Sequence, residues 1–311
     1  MKRPTLRHLT TEKSNELSTD LDRKSALEIA RIINAEDARV APAVQRALPQ
    51  IAKAIDLITA GLSNGGRLIY VGTGTSGRIG ALDASEIPPT FDTSPQMVQF
   101  IIAGGTKALS KATEASEDSP DLGRKEMARK KPTRHDVVVG MAASGRTPFT
   151  IAAIEYARFR GAKTVAVTCN RNTRLGRAAH VEIVADVGPE VVAGSSRMKA
   201  GTAEKMILNI LSTGAMTRLG YVYGNLMVNL HLKNTKLRER GVNILEETTG
   251  LDRTQAAKLL ADARHSVPVA LVMAKAGLTR AAATAALKQS KGHVRKAIDL
   301  GLLRSSRAPH G

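Results

Sequence analysis

Five short apolar runs separated by helical patterns constrain this chain more than any other feature of its sequence. They are 67–72 (RLIYVG), 97–103 (MVQFIIA), 136–143 (DVVVGMAA), 163–169 (KTVAVTC) and 180–185 (HVEIVA). Runs this short and this continuously apolar read as strands buried on both faces, as parallel sheets require. Helical spacing lies between the last three, as in 148–161, and a long stretch rich in Met, Leu and Ile follows at 196–220. Alternating strand and helix predicts an α/β fold, a doubly wound parallel sheet of about five strands.

Ahead of the sheet, residues 1–24 are polar and read as an extended lead-in. Residues 25–34 and 40–62 have helical apolar spacing, and Asn64-Gly65-Gly66 then breaks the chain. After Thr249 the texture changes to short helical segments at 253–264, 268–276, 280–289 and 292–300. Leu251-Asp252-Arg253-Thr254 offers an N-cap, and Gly277 and Gly301 read as C-caps. The expected organisation is an α/β domain over 1–240 with a helical lead-in, then a small C-terminal helical bundle over 241–311. That bundle holds about three helices and ends in a basic tail from Arg304.

Hydrophobic residues make up 42% of the 311, enough for a sizeable core, but aromatics are 3% and Trp is absent. Ala, Leu, Ile, Val and Met must fill the interior, and the chain is poor in platforms for stacking single-stranded bases. The net charge of +18 is spread along the chain, over Lys2, Arg3, Arg7, 124–134 and 288–307. Without a groove-reading motif beside it, that charge points to steering of an anionic substrate and not to a nucleic-acid partner. Cys169 is the sole cysteine, so no disulfide framework or thiolate metal cluster forms within the chain, and its apolar setting reads as a buried structural thiol. Histidines such as His135, His180 and His231 lack ligand spacing, so no metal is expected. No apolar stretch follows Met1-Lys2-Arg3-Pro4-Thr5 and no run is long enough to span a bilayer. A cytoplasmic protein with no membrane partner is expected.

Ligands of open parallel sheets bind beyond the carboxyl ends of the strands. The first such loop is Gly72-Thr73-Gly74-Thr75-Ser76-Gly77-Arg78, where glycines admit a ligand to the backbone and hydroxyls and helix-start N–H groups suit an anion. It also satisfies G-x-G-x-x-G, but the second strand ends in Ala103-Gly104-Gly105 and supplies no acidic ribose partner. The second loop, Ala142-Ala143-Ser144-Gly145-Arg146-Thr147-Pro148, again sets hydroxyls at a strand–helix junction. Two such loops suit one sugar monophosphate better than a pyrophosphate; the alternative is a pair of ordinary tight turns. A third segment, 194–202 (GSSRMKAGT), opens the long helix with Ser195 and Ser196 near N-cap positions and Arg197 and Lys199 adding charge. Glu86, ahead of Pro88-Pro89, reads as an acid held at a helix end near the first loop; Glu117 follows the second strand. Taken alone, each acid reads more readily as a solvated surface charge than as a catalyst.

At these residues the sequence resembles the N-acetylmuramic acid 6-phosphate etherase family, whose core is of the sugar-isomerase (SIS) type. The matching stretches are 67–90 (RLIYVGTGTSGRIGALDASEIPPT), Ala103-Gly104-Gly105, Glu117-Asp118-Ser119, 137–148 (VVVGMAASGRTP), 194–202, 224–228 (GNLMV) and 27–37 (LEIARIINAED). They span nearly the whole chain, and the DASE-x-PPT and GSSRMKAGT strings are far more specific than a glycine loop. The chain departs from the family pattern at Asn229, where Asp is more usual, and at Ile87, where Cys is. Neither departure touches a proposed catalytic group.

The resemblance implies cleavage of the lactyl ether of N-acetylmuramate 6-phosphate, giving N-acetylglucosamine 6-phosphate and D-lactate, without cofactor or metal. It implies Glu86 as the acid that protonates departing lactate and Glu117 as the base at C2, a pair whose pKa values must differ. It also implies sugar or phosphate contacts from Thr75, Ser76, Ser144, Arg146, Thr147, Ser195 and Ser196, and a homodimer. Two rivals use the same core. A sugar-phosphate isomerase would need the base but no acid at C3. A non-catalytic sugar-phosphate sensor would need neither, and residues 1–60 lack the helix-turn-helix of a regulator.

Overall fold

Ser25 starts the first helix, α1 (Ala26–Asp37), by a reciprocal bond: its hydroxyl accepts from the Glu28 N–H while Glu28 reaches back to the Ser25 N–H. The apolar stretch 40–62 is two helices, α2 (Val40–Arg46) and α3 (Leu48–Ser63). Pro49, which lacks a backbone donor, fits only the first turn of the second. The described part of the lead-in, from residue 9, is not extended. It folds into three short 3₁₀ turns between Thr10 and Arg23, with Thr11 and Asn15 buried. Its polar side chains find interior partners, so polarity misled: Asn15 donates to Glu36 Oε2 at 2.8 Å and to the Pro189 carbonyl at 3.2 Å. The computed structural model describes residues 9–111, 116–230, 232 and 235–305; His231, the first eight residues and the basic tail after Ser305 lie outside them.

The sheet follows in strict alternation: β1 (Leu68–Gly72), α4 (Gly74–Phe91), β2 (Val98–Ile102), α5 (Pro120–Arg129), β3 (Val137–Met141), α6 (Pro148–Phe159), β4 (Lys163–Thr168), α7 (Arg174–Ala178), β5 (Val181–Val184) and α8 (Lys199–Leu219). All five strands are parallel, in the order β2-β1-β3-β4-β5, with Gly72 in register with Ile102 and Met141. Alternate residues point to opposite faces. Ile69, Val71 and Val138 meet Met127, Phe149 and Ile154 of α5 and α6. Tyr70 and Met141 face the other way, where Gly80 of α4 sits so close that a Cβ would come within 2.7 Å of Met141. The strand order reverses between β1 and β3, the position where such sheets open a ligand crevice.

The chain forms two compact units, Met1–Ser85 with Pro95–Gly214, and Glu86–Ser94 with Ala215–Gly311. The expected division after residue 240 falls inside a helix. The second unit holds a short antiparallel pair, β6 (Val222–Tyr223) and β7 (Leu226–Met227), then α9 (Thr235–Thr249), α10 (Arg253–Asp262), α11 (Val267–Ala276), α12 (Arg280–Gln289) and α13 (Val294–Ser305). Among the described residues, the bundle therefore has five helices after β7. Asp252 caps α10 in a capping box with Gln255, and Gly277 (φ +65°) ends α11, both as expected. Gly301 is not a cap. It lies inside α13, where a Cβ would approach the Ala276 side chain to 2.6 Å, so its bareness lets α13 close on α11. No single helix among the described residues is long and apolar enough to cross a membrane.

Candidate active site

The first loop is short because α4 begins almost at the strand end. Only Thr73 separates β1 from α4. Gly74 has φ +50°, a left-handed conformation that favours glycine, and the Gly77 N–H donates to the Thr73 carbonyl at 3.0 Å. A Cβ on Gly77 would lie 2.6 Å from Ile102 Cγ1. In the second loop Gly145 (φ +65°) closes the turn on the Ala142 carbonyl at 2.8 Å, and the Arg146 N–H donates to Ser144 Oγ at 3.2 Å. Thr147 holds the N-cap position of α6, but its hydroxyl makes no cap bond. Because β1 and β3 are neighbours, the two loops lie side by side at the reversal of strand order. Thr75, Ser76, Ser144, Arg146 and Thr147 are all partly exposed there.

Glu117 joins the two loops. Its carbonyl accepts from the Phe149 N–H at 3.1 Å, at the start of α6. Its Oε1 lies 3.1 Å from where a Cβ on Gly74 would stand. A half-buried carboxylate thus rests against the bare backbone of the first loop.

Glu86 does not lie at a helix end. α4 runs on through Pro88 and Pro89 to Phe91, and Glu86 is exposed on it, twelve residues past Gly74. Three residues earlier, Asp83 is buried and used structurally: Tyr70 Oη donates to it at 2.7 Å, Asn209 Nδ2 at 2.7 Å and Ser212 Oγ at 3.1 Å. Burial pushes its pKa up, against those three bonds.

The segment ahead of α8 departs from expectation as well. α8 starts at Lys199, and the Glu190 carboxylate takes its first N–H groups, from Lys199 at 3.0 Å and Ala200 at 2.9 Å. Ser195 and Ser196 are therefore not caps; they precede the helix, partly exposed, and the Ser196 carbonyl accepts from the Gly201 N–H. Lys199 is fully buried and ion-paired with Glu36. It is not offered to an anion. Burial pushes Glu36 up, but bonds from Lys199, Arg39 and Asn15 outweigh it and hold the carboxyl below its usual range. Gly201 meanwhile brings α8 against the first loop: a Cβ there would lie 3.3 Å from Thr75 Cγ2.

A family model described as glucokinase regulatory protein N-terminal SIS domain matches residues 50–158, and a SIS domain model matches 122–213. An N-acetylmuramic acid 6-phosphate etherase of Symbiobacterium thermophilum is 54% identical over 274 residues, covering 88% of this chain and 91% of the relative. One from Clostridium beijerinckii is 47% identical over 293 residues (94% and 96%), and one from Shigella flexneri 49% over 294 (94% and 99%). The chain belongs to the N-acetylmuramic acid 6-phosphate etherase family. A solved phosphoheptose isomerase of Francisella tularensis is 19% identical, with a TM-score of 0.49, over 62% of this chain and all of that one.

In this etherase-family chain one acidic residue at the first loop escapes a reading by motif. Glu204 is buried, and its Oε1 lies 2.9 Å from Ser76 Oγ. Burial pushes it up to about 8, against the Ser76 bond. A signal was present: Ala200, Ala203, Ile207, Leu208 and Leu211 mark a buried helical stripe, and Glu204 falls within it. Cys169 is buried, and burial raises its thiol well above the usual range, as suits an inert structural residue. Arg78 is spent on the carbonyls of Ala108, Leu109 and Lys111. Among the described residues no three His, Cys, Asp or Glu side chains gather as a metal site.

Proposed function

We propose that this chain is a carbon–oxygen lyase that cleaves the D-lactyl ether of N-acetylmuramate 6-phosphate, yielding N-acetylglucosamine 6-phosphate and D-lactate. The observation that carries the reading is the Glu117 carboxylate against Gly74, between two hydroxyl-bearing loops at the reversal of strand order. The relatives' names supply the substrate. Thr75, Ser76, Ser144, Arg146 and Thr147 hold the phosphate and sugar, with Ser195 and Ser196 ahead of α8 as further contacts. In the open-chain sugar the aldehyde acidifies the C2 hydrogen, and Glu117 removes it. The C3–O bond then breaks with its electron pair on the lactyl oxygen, which Glu86 protonates. Water adds to C3 of the unsaturated aldehyde, C2 regains a proton, and the net reaction consumes one water.

The division of roles rests on the family resemblance. The active form is a homodimer in which the exposed Glu86 of one copy serves the Glu117 loop of the other. The setting is cytoplasmic and the pathway peptidoglycan recycling. The test is D-lactate release from N-acetylmuramate 6-phosphate by wild type, Glu86→Gln and Glu117→Gln. Each variant is expected to lose about 10²–10⁴-fold. Mixed dimers of the two dead variants should regain about a quarter of the wild-type activity, since half the dimers are mixed and one of their two sites is intact. Full activity in both single variants would sink the assignment; a mixture with no regained activity would sink the shared site.

A further inference from the structure

We propose that Glu204 is a positioning residue of the sugar-phosphate cradle: its buried carboxyl holds the Ser76 oxygen and so decides whether that hydroxyl offers its proton to the ligand. This rests on the assignment of Ser76 to the cradle made above. Glu204 is 1% exposed, on the buried stripe of α8, and its Oε1 stands 2.9 Å from Ser76 Oγ. Ser76 sits in the first turn of α4 and is itself partly exposed at the loop. The hydrogen bond joins α8 to the first loop, and the mechanism above gives Glu204 no part.

A serine hydroxyl has one proton and two acceptor sites. In the structure the Ser76 hydroxyl donates to Glu204 Oε1; a neutral Glu204 can instead donate its own O–H to Ser76 Oγ, and the serine proton is then left to point at an anionic phosphate. An ionised Glu204 can only accept. It takes the serine proton, leaves oxygen lone pairs facing the ligand, and adds a negative charge beside a dianion. Burial favours the neutral form at neutral pH. The titratable groups around it do not reverse this. From the end of β4 comes the raised thiol of Cys169, which feels Glu204, Glu190 and Asp186 as negative neighbours. Lys199, earlier on α8, is paired with Glu36, and Lys205 is exposed and acts on Asp83. From α4 the facing group is the Ser76 hydroxyl.

The test is direct binding of N-acetylglucosamine 6-phosphate and of inorganic phosphate to the full chain by calorimetry between pH 7 and 9.5. In that range a phosphate monoester, with its second pKa about 6, is already a dianion. If only the neutral form binds, apparent affinity falls about tenfold from pH 7 to pH 9, and binding at pH 9 takes up a proton, read from two buffers of different ionisation heat. Glu204→Gln, whose amide N–H replaces the acid O–H, should keep the pH 7 affinity and lose the pH dependence. Ser76→Ala should bind weakly and without that dependence. In turnover the limb should appear in KM and not in kcat. A limb that persists in Glu204→Gln, or a wild type with no limb, overturns the proposal. Binding that follows the prediction without D-lactate release leaves Glu204 in place and overturns the etherase reading; no binding of either ligand at any pH overturns both.

Discussion

Replacing Lys199 by Met separates a structural from a ligand-binding role for the lysine of the GSSRMKAGT string. Met fills similar space but leaves Glu36, 1% exposed, with only Asn15 and Arg39 as partners. Removing one member of a buried ion pair costs about 3–5 kcal/mol, because the other charge stays buried. Against a total stability of about 5–15 kcal/mol that is a large fraction. The sign with pH follows from the pairing. Glu36 is depressed in the fold, so its contribution is present above the ordinary value of 4.5 and is lost as pH falls through the folded value. Urea unfolding followed by far-ultraviolet circular dichroism at pH 7 should show a markedly lower midpoint for Lys199→Met. The double variant Glu36→Gln with Lys199→Met should recover most of it, since no buried charge remains. A Lys199→Met protein with wild-type stability and a raised KM would refute the reasoning and return the lysine to the substrate.

Gly74→Ala forces a Cβ onto a residue at φ +50° and to 3.1 Å from Glu117 Oε1. It should cost about 1–2 kcal/mol of stability and lower kcat for lactate release at least tenfold, measured on folded protein. Tyr70→Phe removes a donor from buried Asp83 and should cost about 1–3 kcal/mol with KM unchanged, read by thermal melting and steady-state kinetics. Glu204→Gln should flatten stability against pH. The wild-type carboxyl is raised from 4.5 to about 8, so its favourable contribution is complete below 4.5 and is lost as pH rises through 8. That loss is on the order of 4 kcal/mol, visible as a melting temperature that falls from pH 5 to pH 8.5 in wild type more than in the variant.

The sheet was legible because buried parallel strands leave a signature few other elements share: short runs of about five mostly apolar residues, the first of them ending at Gly72. The two loops were legible for the same reason, since their glycines and hydroxyls stand where strands end. What sequence patterns missed are places where a polar residue is committed to the interior. Lys199 and Glu36 each look like solvent-facing charges until their pairing is seen. Glu190 caps a helix that starts nine residues later, across a turn no local rule spans. Polar composition made 1–24 look extended, though Asn15 and Thr11 are buried. Pro88-Pro89 suggested a helix end after Glu86, yet α4 carries both prolines to Phe91. Gly301 has the composition of a cap and the role of a packing notch.

The central claim concerns the proton on C2 of the sugar, and turnover of N-acetylmuramate 6-phosphate in deuterium oxide tests it most directly. Wild type should release D-lactate and leave one deuterium at C2 of N-acetylglucosamine 6-phosphate, and Glu117→Gln should lose lactate release and C2 exchange together. Lactate released with the original hydrogen still on C2, or exchange at the wild-type rate in Glu117→Gln, would contradict it.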